Sequence, residues 1–492
     1  MSSAAANLAL AALLAALAAC GSGGSGNELA SPPPPVFPPA TPNGKNVLLI
    51  ITEDHGAQAG IFGTPGAVTP NIDALAAAGT MYTRAYVTVA SCSPSKAALF
   101  TGRHNHANGV KENVQEFVGS AEALAAANPR FLSDPNSFYN RNRNRVRDAV
   151  PTLVEMLRFY GYYTGTQNKF HLSPHGKFPY DHWRPEEPDS YAEVSQFIEE
   201  ARQAGKPWFL VHHVNRSHRP YPDGDAGPLP VDPATVSVPA HLPDTATVRQ
   251  DWSEYLSAVG IADRRVGDAL RALENSGETG ETLVVLIGDH GPSYHRAKWT
   301  TYELGLRVPL VFRGLDVTPA RVSADLFSGV DLMPTLLGFL DLPAPATLDG
   351  VSHRERLAGR DSNVPRSIVV GEASSDRSIF DGTFRLVFMP VARDTVMPAD
   401  NRDFDPWRNR VYEHILANAS VPGFAAAYRF LDLADAALPV YDRPQFELFE
   451  TASDPWEVRD FAPDPTRVPE LTRLKALLSA WQASTGDPGP AP

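Results

Sequence analysis

The sequence predicts a layered α/β protein with a smaller α+β portion at its C-terminal end, and three observations carry that prediction. Residues 47–51 and 283–287 are unbroken aliphatic runs, the pattern of strands buried on both faces of a sheet. Segments with apolar residues at helical spacing lie between them, and such interleaving builds layered α/β architectures. Near Arg366 the character changes to short β-like runs followed by one long helical segment. With 492 residues, 43% of them hydrophobic, the chain can bury a large core.

The first 20 residues read as a targeting segment. Residues 8–19 are an almost continuous run of Leu and Ala, too short to span a bilayer stably. The run ends in Leu17-Ala18-Ala19-Cys20-Gly21, which resembles a lipoprotein signal with Cys20 as the lipid-bearing residue. A plain cleaved signal or a buried helix is the competing reading of the same run. Residues 21–44, rich in Gly and Ser and then in Pro, cannot bury apolar area and read as a disordered tether. The expectation is an exported protein at the cell envelope or in the periplasm, touching the membrane only through its lipid.

The strand at 47–51 runs into Thr52-Glu53-Asp54-His55, a polar cluster at the strand end where open α/β sheets place their ligands. A helix over 71–78 opens after Thr69-Pro70 and stops at Gly79. Residues 151–160 and 255–273 follow helical spacing, and 208–214 reads as a further strand. The run 283–287 ends in Gly288-Asp289-His290-Gly291. Two buried strands that end in acidic residues bring those residues to one sheet edge, where they repel unless a cation joins them. Beyond Arg366, residues 368–370 and 384–389 read as strands and 468–483 as a closing helix. The expected division is a main domain at 45–365 and a C-terminal subdomain at 366–492.

A formal net charge of −13 leaves no broad basic stripe for nucleic acid, although a pocket can still be locally basic and accept an anion. The two cysteines, Cys20 and Cys92, fall in the leader and the body, so no disulfide framework is expected. Cys92 sits in Ser91-Cys92-Ser93-Pro94-Ser95-Lys96, just ahead of residues that suit the first turn of a helix. Unpaired N–H groups and the helix dipole favour negative charge at that place. A small buried cysteine and a thiolate nucleophile both fit the position.

The segment from Cys92 to Gly102 resembles the signature of the sulfatase family, in the alkaline phosphatase superfamily: Cys-x-Pro-Ser-Arg, a helix, then Thr-Gly. Cys92, Pro94, Ser95, Thr101 and Gly102 match it, and Lys96 stands where the family has Arg. Other landmarks follow in the family's order: Asn46 to Asp54, Thr69-Pro70-Asn71-Ile72-Asp73-Ala74-Leu75, Asp289-His290-Gly291, Arg307-Val308-Pro309-Leu310, and Glu447-Leu448-Phe449 with Asp454-Pro455. The resemblance implies an alkaline-phosphatase-like α/β/α sandwich and a hydrolase of sulfuric esters or sulfamates.

It also implies roles for particular residues. Cys92 would be converted to formylglycine (3-oxoalanine) by a formylglycine-generating enzyme or an anaerobic maturase. One hydroxyl of the aldehyde hydrate would attack sulfur in line, and the other would then expel sulfate. Glu53, Asp54, Asp289 and His290, together with residue 92, would hold Ca²⁺ or Mg²⁺, the cations that oxygen-rich ligand sets suit; Glu53 replaces the family's usual Asp. Lys96 would hold the hydrate as a point charge where Arg would offer a fork. Lys169 and His171, in Asn168-Lys169-Phe170-His171, match a family Lys-x-His pair on sulfate and hydrate, and Lys298 matches a second cation on sulfate. Where the family has His-x-Pro-His, this chain has Asn215-Arg216-Ser217-His218. Asn215 takes the first His position as a substrate contact, and His218 matches the second as the candidate leaving-group acid, with His213 as its alternative.

Residues 105–110, 167–174 and 298–302, with the run 443–455 and Trp481, most resemble the heparan N-sulfatase (sulfamidase) branch. That points to N-sulfoglucosamine-like or other sulfated sugars, glycosaminoglycan fragments among them. A phosphoesterase or phosphonate hydrolase of the same superfamily is one alternative reading. A non-catalytic glycan-binding homologue is the other.

Overall fold

Strand β1 (Asn46–Thr52) is buried along its whole length, as its aliphatic run requires. The computed structural model describes residues 37–114, 144–184, 189–221, 231–361, 363, 366–390, 410–418, 421, 424 and 444–492. The targeting segment, Cys20 and the tether as far as residue 36 lie outside the described residues. Seven further strands join β1: β2 (Thr80–Tyr86), β3 (Tyr163–Gln167), β4 (His182–Arg184), β5 (Trp208–Val214), β6 (Thr282–Gly288), β7 (Arg307–Arg313) and β8 (Arg321–Ser328). Their order is β4-β3-β5-β1-β6-β7-β2-β8. Strand β7 runs antiparallel to both its neighbours, and the other pairings are parallel.

Side chains of a strand alternate between faces, and β1 feeds two cores. Val47, Leu49 and Ile51 join one, Leu48 and Ile50 the other. Helices α1 (Pro70–Ala77), α2 (Cys92–Thr101), α3 (Leu153–Phe159), α4 (Tyr191–Ala204), α5 (Ala246–Ser276) and α6 (Leu332–Phe339) cover the sheet. The first core takes α2, α3 and α6, and the second takes α1, α4 and α5, which makes an α/β/α sandwich. Each fully buried aliphatic side chain contributes about 1.5–3 kcal/mol, so the sheet interior is the main source of stability. Among the described residues, no helix is long and apolar enough to cross a membrane.

The C-terminal portion holds a separate four-stranded antiparallel sheet, β12-β11-β10-β9, of β9 (Val369–Ala373), β10 (Asp376–Phe380), β11 (Phe384–Phe388) and β12 (Phe446–Glu450). Helix α7 (Val468–Thr485) covers it, packing Leu474, Leu478 and Trp481 against Ile379, Leu386, Phe388 and Leu448. The described residues from Phe37 to Pro492 form one unit. The helix expected at 255–273 begins earlier, at Ala246, because Thr245 caps it by accepting from the backbone N–H of Val248. The helix expected at 151–160 is Leu153–Phe159, started by a capping box between Thr152 and Glu155.

Candidate active site

Register places the acidic residues. Thr52 pairs with Gly288, so β1 and β6 end level and release Glu53-Asp54 and Asp289-His290 side by side. The Asp289 N–H donates to the Thr52 carbonyl (2.9 Å) and the Asp54 N–H donates to Asp289 Oδ1 (2.8 Å). Asp54 turns there with φ 48°, a left-handed conformation that Asp tolerates. All four side chains are fully buried. Helix α2 begins at Cys92 and is buried at every position; in its first turn the Ser93 N–H donates to Asn113 Oδ1 (3.0 Å), the Ser95 N–H to the Ser91 carbonyl (2.9 Å), and Pro94 has none. Ser95 ties the helix to β6 by donating its hydroxyl to the Asp289 carbonyl, and Ser217 donates to the Glu53 carbonyl (2.6 Å).

Cys92 lies among cations. Its Sγ is 3.3 Å from His290 Nε2 and 3.8 Å from Lys169 Nζ, and His171 and His218 also hydrogen-bond it. Burial pushes the thiol up, but Lys169, Lys298 and His290 outweigh it and hold the thiol well below its ordinary range. Lys169 also pairs with Glu53 Oε2 at 3.0 Å, from a loop in which Asn168 and His171 both have positive φ. Lys298 contacts both oxygens of Asp54 (3.0 and 2.9 Å) and lies 3.4 Å from His218 Nε2. Lys96 pairs with Glu53 Oε1 and lies 3.6 Å from Asp289 Oδ2.

The remaining candidates separate. Burial opposes the charged form of His218, but Asp54 outweighs it and raises the imidazole above its ordinary pKa. His213, 3.6 Å from Glu53 Oε1, is pushed down to about 4 by burial. It is therefore neutral at neutral pH and a poorer proton donor than His218. Asn215 is exposed at the end of β5, unlike the buried cluster. Sequence alone does not single out Ser217, since a lone Ser after a strand carries no signal of its contacts.

The residues present fit a divalent cation. Asp289 Oδ2 is buried and has no hydrogen-bond partner, with Lys96 Nζ at 3.6 Å and His290 Nε2 at 3.8 Å. Burial, and then Glu53 beside it, pushes the Asp289 carboxyl up to about 8. That is the mark of a carboxylate whose charge needs more compensation than its neighbours supply. Burial opposes charge on His290, but Asp289 and Asp54 hold it up at about 9. Its Nδ1 donates to the Gly291 carbonyl (2.7 Å), which leaves Nε2 facing Asp54 Oδ1 (3.3 Å) and Cys92. Ligand atoms of Cys92, Asp289 and His290 lie within 4.8 Å of one another, and so do those of Asp54, Cys92 and His218. Neither group includes Glu53, whose oxygens face Lys96 and Lys169.

Such a site can seat a tetrahedral anion between lysines and a cation, against a group at position 92. The sulfatase family pattern matches residues 45–342. Human N-sulphoglucosamine sulphohydrolase is 27% identical, over 90% of this chain and 91% of its own length. An ulvan-active sulfatase of Formosa agariphila is also 27% identical, over 91% of this chain and 76% of its own length. A solved structure in complex with its substrate D-glucosamine-2-N,6-O-disulfate superposes with a TM-score of 0.59 at 18% identity, covering 91% of this chain and 99% of that one.

Proposed function

Because the chain belongs to the sulfatase family and so is a hydrolase of sulfuric esters or sulfamates, we propose that it removes sulfate from sugars through residue 92, converted to formylglycine, beside a divalent cation. The observation that carries this reading is the placement of Cys92: first residue of α2, buried, and met by Lys169 and His290. As a formylglycine hydrate, residue 92 would supply an oxygen nucleophile whose negative charge the helix start favours. Asp54, Asp289 and His290, with Glu53 beside them, would hold Ca²⁺ or Mg²⁺, which would draw charge from a sulfate oxygen.

The chain's own residues do the rest. Lys169 and Lys298 bind and orient the sulfate, and burial of the cluster strengthens both contacts by excluding water. Lys96 balances Glu53 and Asp289 from below, and His171 steadies position 92 by its hydrogen bond. His218 gives its proton to the departing oxygen or nitrogen of the sugar. Exposed Asn215 meets the sugar at the rim. The similarity to an N-sulphoglucosamine sulphohydrolase and to an ulvan-active sulfatase supports a sulfated glycan as substrate.

The same reading includes maturation by a formylglycine-generating or anaerobic enzyme, and export with Cys20 as a lipid anchor. It also keeps the division into a catalytic domain at 45–365 and a C-terminal subdomain at 366–492. The test is sulfate release, measured by ion chromatography, from N-sulfoglucosamine and from O-sulfated sugars by protein co-produced with a maturing enzyme and loaded with Ca²⁺. Release is expected, and Cys92→Ala should reduce it to the uncatalysed level. Hydrolysis of phosphate monoesters with no sulfate released from any sugar would contradict the reading.

A further inference from the structure

His218 shows different neighbours to its two ring nitrogens. Nδ1 meets the backbone carbonyl of Arg219, and Nε2 meets Lys298 Nζ at 3.4 Å. A carbonyl can only accept and an ammonium can only donate. When the ring is neutral, these two contacts place its proton on Nδ1 and its lone pair on Nε2, and the acid form adds a second proton at Nε2, the side on which the ring also meets Cys92. A ligand atom of the same ring lies within 4.8 Å of both Asp54 and Cys92.

The carbonyl that fixes this tautomer belongs to a residue whose side chain is locked. The Arg219 guanidinium donates to Asp251 from Nη1 (3.1 Å to Oδ1) and from Nη2 to Oδ2, and its Nε donates to the Ser293 carbonyl (3.4 Å). It lies over the rings of Tyr221 and Tyr294, 4.4 and 4.9 Å from their centroids. Asp251 accepts a further hydrogen bond from the Tyr294 hydroxyl (2.6 Å) and is fully buried. It stands on α5, whose Trp252, Tyr255 and Leu256 pack in one core cluster with Tyr294. The anchor is thus the rigid face of a long helix rather than a loop. No step of the proposed reaction touches Asp251, Tyr294 or the Arg219 side chain.

We infer that Asp251 and Arg219 are positioning residues: they hold the Arg219 carbonyl against His218 Nδ1, so that Nε2 is the one ring nitrogen that exchanges a proton with the substrate. The inference rests on the reading of His218 as the leaving-group acid. In that step sulfur gains a bond to the incoming oxygen nucleophile and its bond to the sugar oxygen breaks. The electron pair of the broken bond stays on the sugar oxygen, which takes the Nε2 proton of the His218 imidazolium and leaves as the neutral alcohol. His218 is left neutral with its remaining proton on Nδ1, donated to Arg219. A sulfamate follows the same course with nitrogen in place of oxygen.

Two readouts test it on Asp251→Asn, Tyr294→Phe and His218→Ala. The first is the ratio of kcat on a sugar sulfate, whose alkoxide is a poor leaving group, to kcat on 4-nitrophenyl sulfate, whose phenolate needs little proton help. Asp251→Asn should lower that ratio about 10-fold or more, the usual scale for an outer partner of a catalytic group, with KM changing less than kcat. Tyr294→Phe, which keeps the ring and removes one donor to Asp251, should move the ratio the same way by less. The second readout is nitrogen-15 NMR of labelled histidine in the unconverted Cys92 protein at one alkaline pH at which the His218 ring is neutral, with the His218 signal identified by its loss in His218→Ala. The wild type should show the Nδ1–H tautomer, and Asp251→Asn a mixture of both. An unchanged tautomer, or equal slowing of both substrates by Asp251→Asn while His218→Ala shifts their ratio, overturns the inference. If His218→Ala leaves the ratio unmoved, the acid role of His218 fails instead, and the tautomer alone then decides whether Asp251 positions the ring. Should Asp251→Asn fail to fold, Tyr294→Phe carries both readouts.

Discussion

At the scale of single residues, the centre of the site is a balance of buried charge. Lys96, Glu53 and Asp289 have fully buried side chains, and Lys96 Nζ reaches both carboxylates. Lysine offers one compact charge where arginine would offer a planar fork, and Glu53 reaches one methylene further than the Asp usual in the family. The longer acid meets the shorter base. Lys96→Met keeps the length and removes the charge, leaving buried carboxylates short of a partner. In metal-free protein it should lose about 3–5 kcal/mol of stability by urea denaturation, and added Ca²⁺ should restore part of that loss by binding the folded state. Wild-type stability in the variant would show that Lys96 is not the counter-ion. The ends of β1 and β6 and the segment around Cys92 were legible in the sequence, because strand-end acids and the Cys-x-Pro-Ser pattern are local. The Lys96–Glu53 and Arg219–Asp251 pairs were not, since the partners stand 43 and 32 positions apart and only the fold joins them.

At the scale of elements, the site depends on how closely the segment after β6 packs. A Cβ on Gly291 would stand 1.8 Å from the Leu304 carbonyl oxygen, and the Gly291 N–H donates to the Gly305 carbonyl at 2.7 Å. The stretch that carries His290 and Lys298 is thus clamped backbone to backbone. Gly291→Ala must push it away, and overpacking of this kind costs about 1–3 kcal/mol. Thermal melting should show that loss, and calorimetric titration with Ca²⁺ should show weaker binding, because His290 moves with its neighbour. Unaltered Ca²⁺ affinity in the variant would separate the clamp from the site. The long aliphatic strands were readable from their composition, whereas β2 and β3 were not. Their sequences, TMYTRAY and YTGTQ, mix polar and apolar residues, and pairing within the sheet rather than pattern makes them strands. Nor does any local feature of β7 say that it runs against its neighbours.

At the scale of the whole molecule, a closed charge network fastens the C-terminal sheet and α7 to the segment that follows α2. Glu372 on β9 accepts from His104 Nδ1 (3.1 Å), His106 Nδ1 (3.0 Å) and the backbone N–H groups of Asn105 and His106 (3.1 and 3.2 Å). His106 Nε2 faces the Thr485 carbonyl at 3.3 Å, and Arg377 holds Asp487 beside it at 2.9 and 2.8 Å. An imidazole between two acceptors donates from both nitrogens and is a cation. Burial opposes that charge, but Glu372 and Asp487 outweigh it and raise the His106 pKa. A raised pKa contributes stability that is full below the unfolded value, about 6.5, and is lost as pH rises through the folded value. The Tm advantage of wild type over His106→Gln should therefore be largest near pH 6 and shrink at alkaline pH; an advantage that grows with pH would show that His106 is not a buried cation held by Glu372. The change to β-like runs near Arg366 made the C-terminal sheet legible in outline, but not its bond to the segment after α2, which rests on residues more than 250 positions apart in sequence.

In the proposed reaction position 92 acts as an aldehyde, which mass spectrometry of the peptide containing it reads without ambiguity. In protein from its native host that releases sulfate, residue 92 should have lost its sulfur and gained an aldehyde that a hydrazide probe captures. An intact thiol at position 92 throughout that active protein would contradict the account.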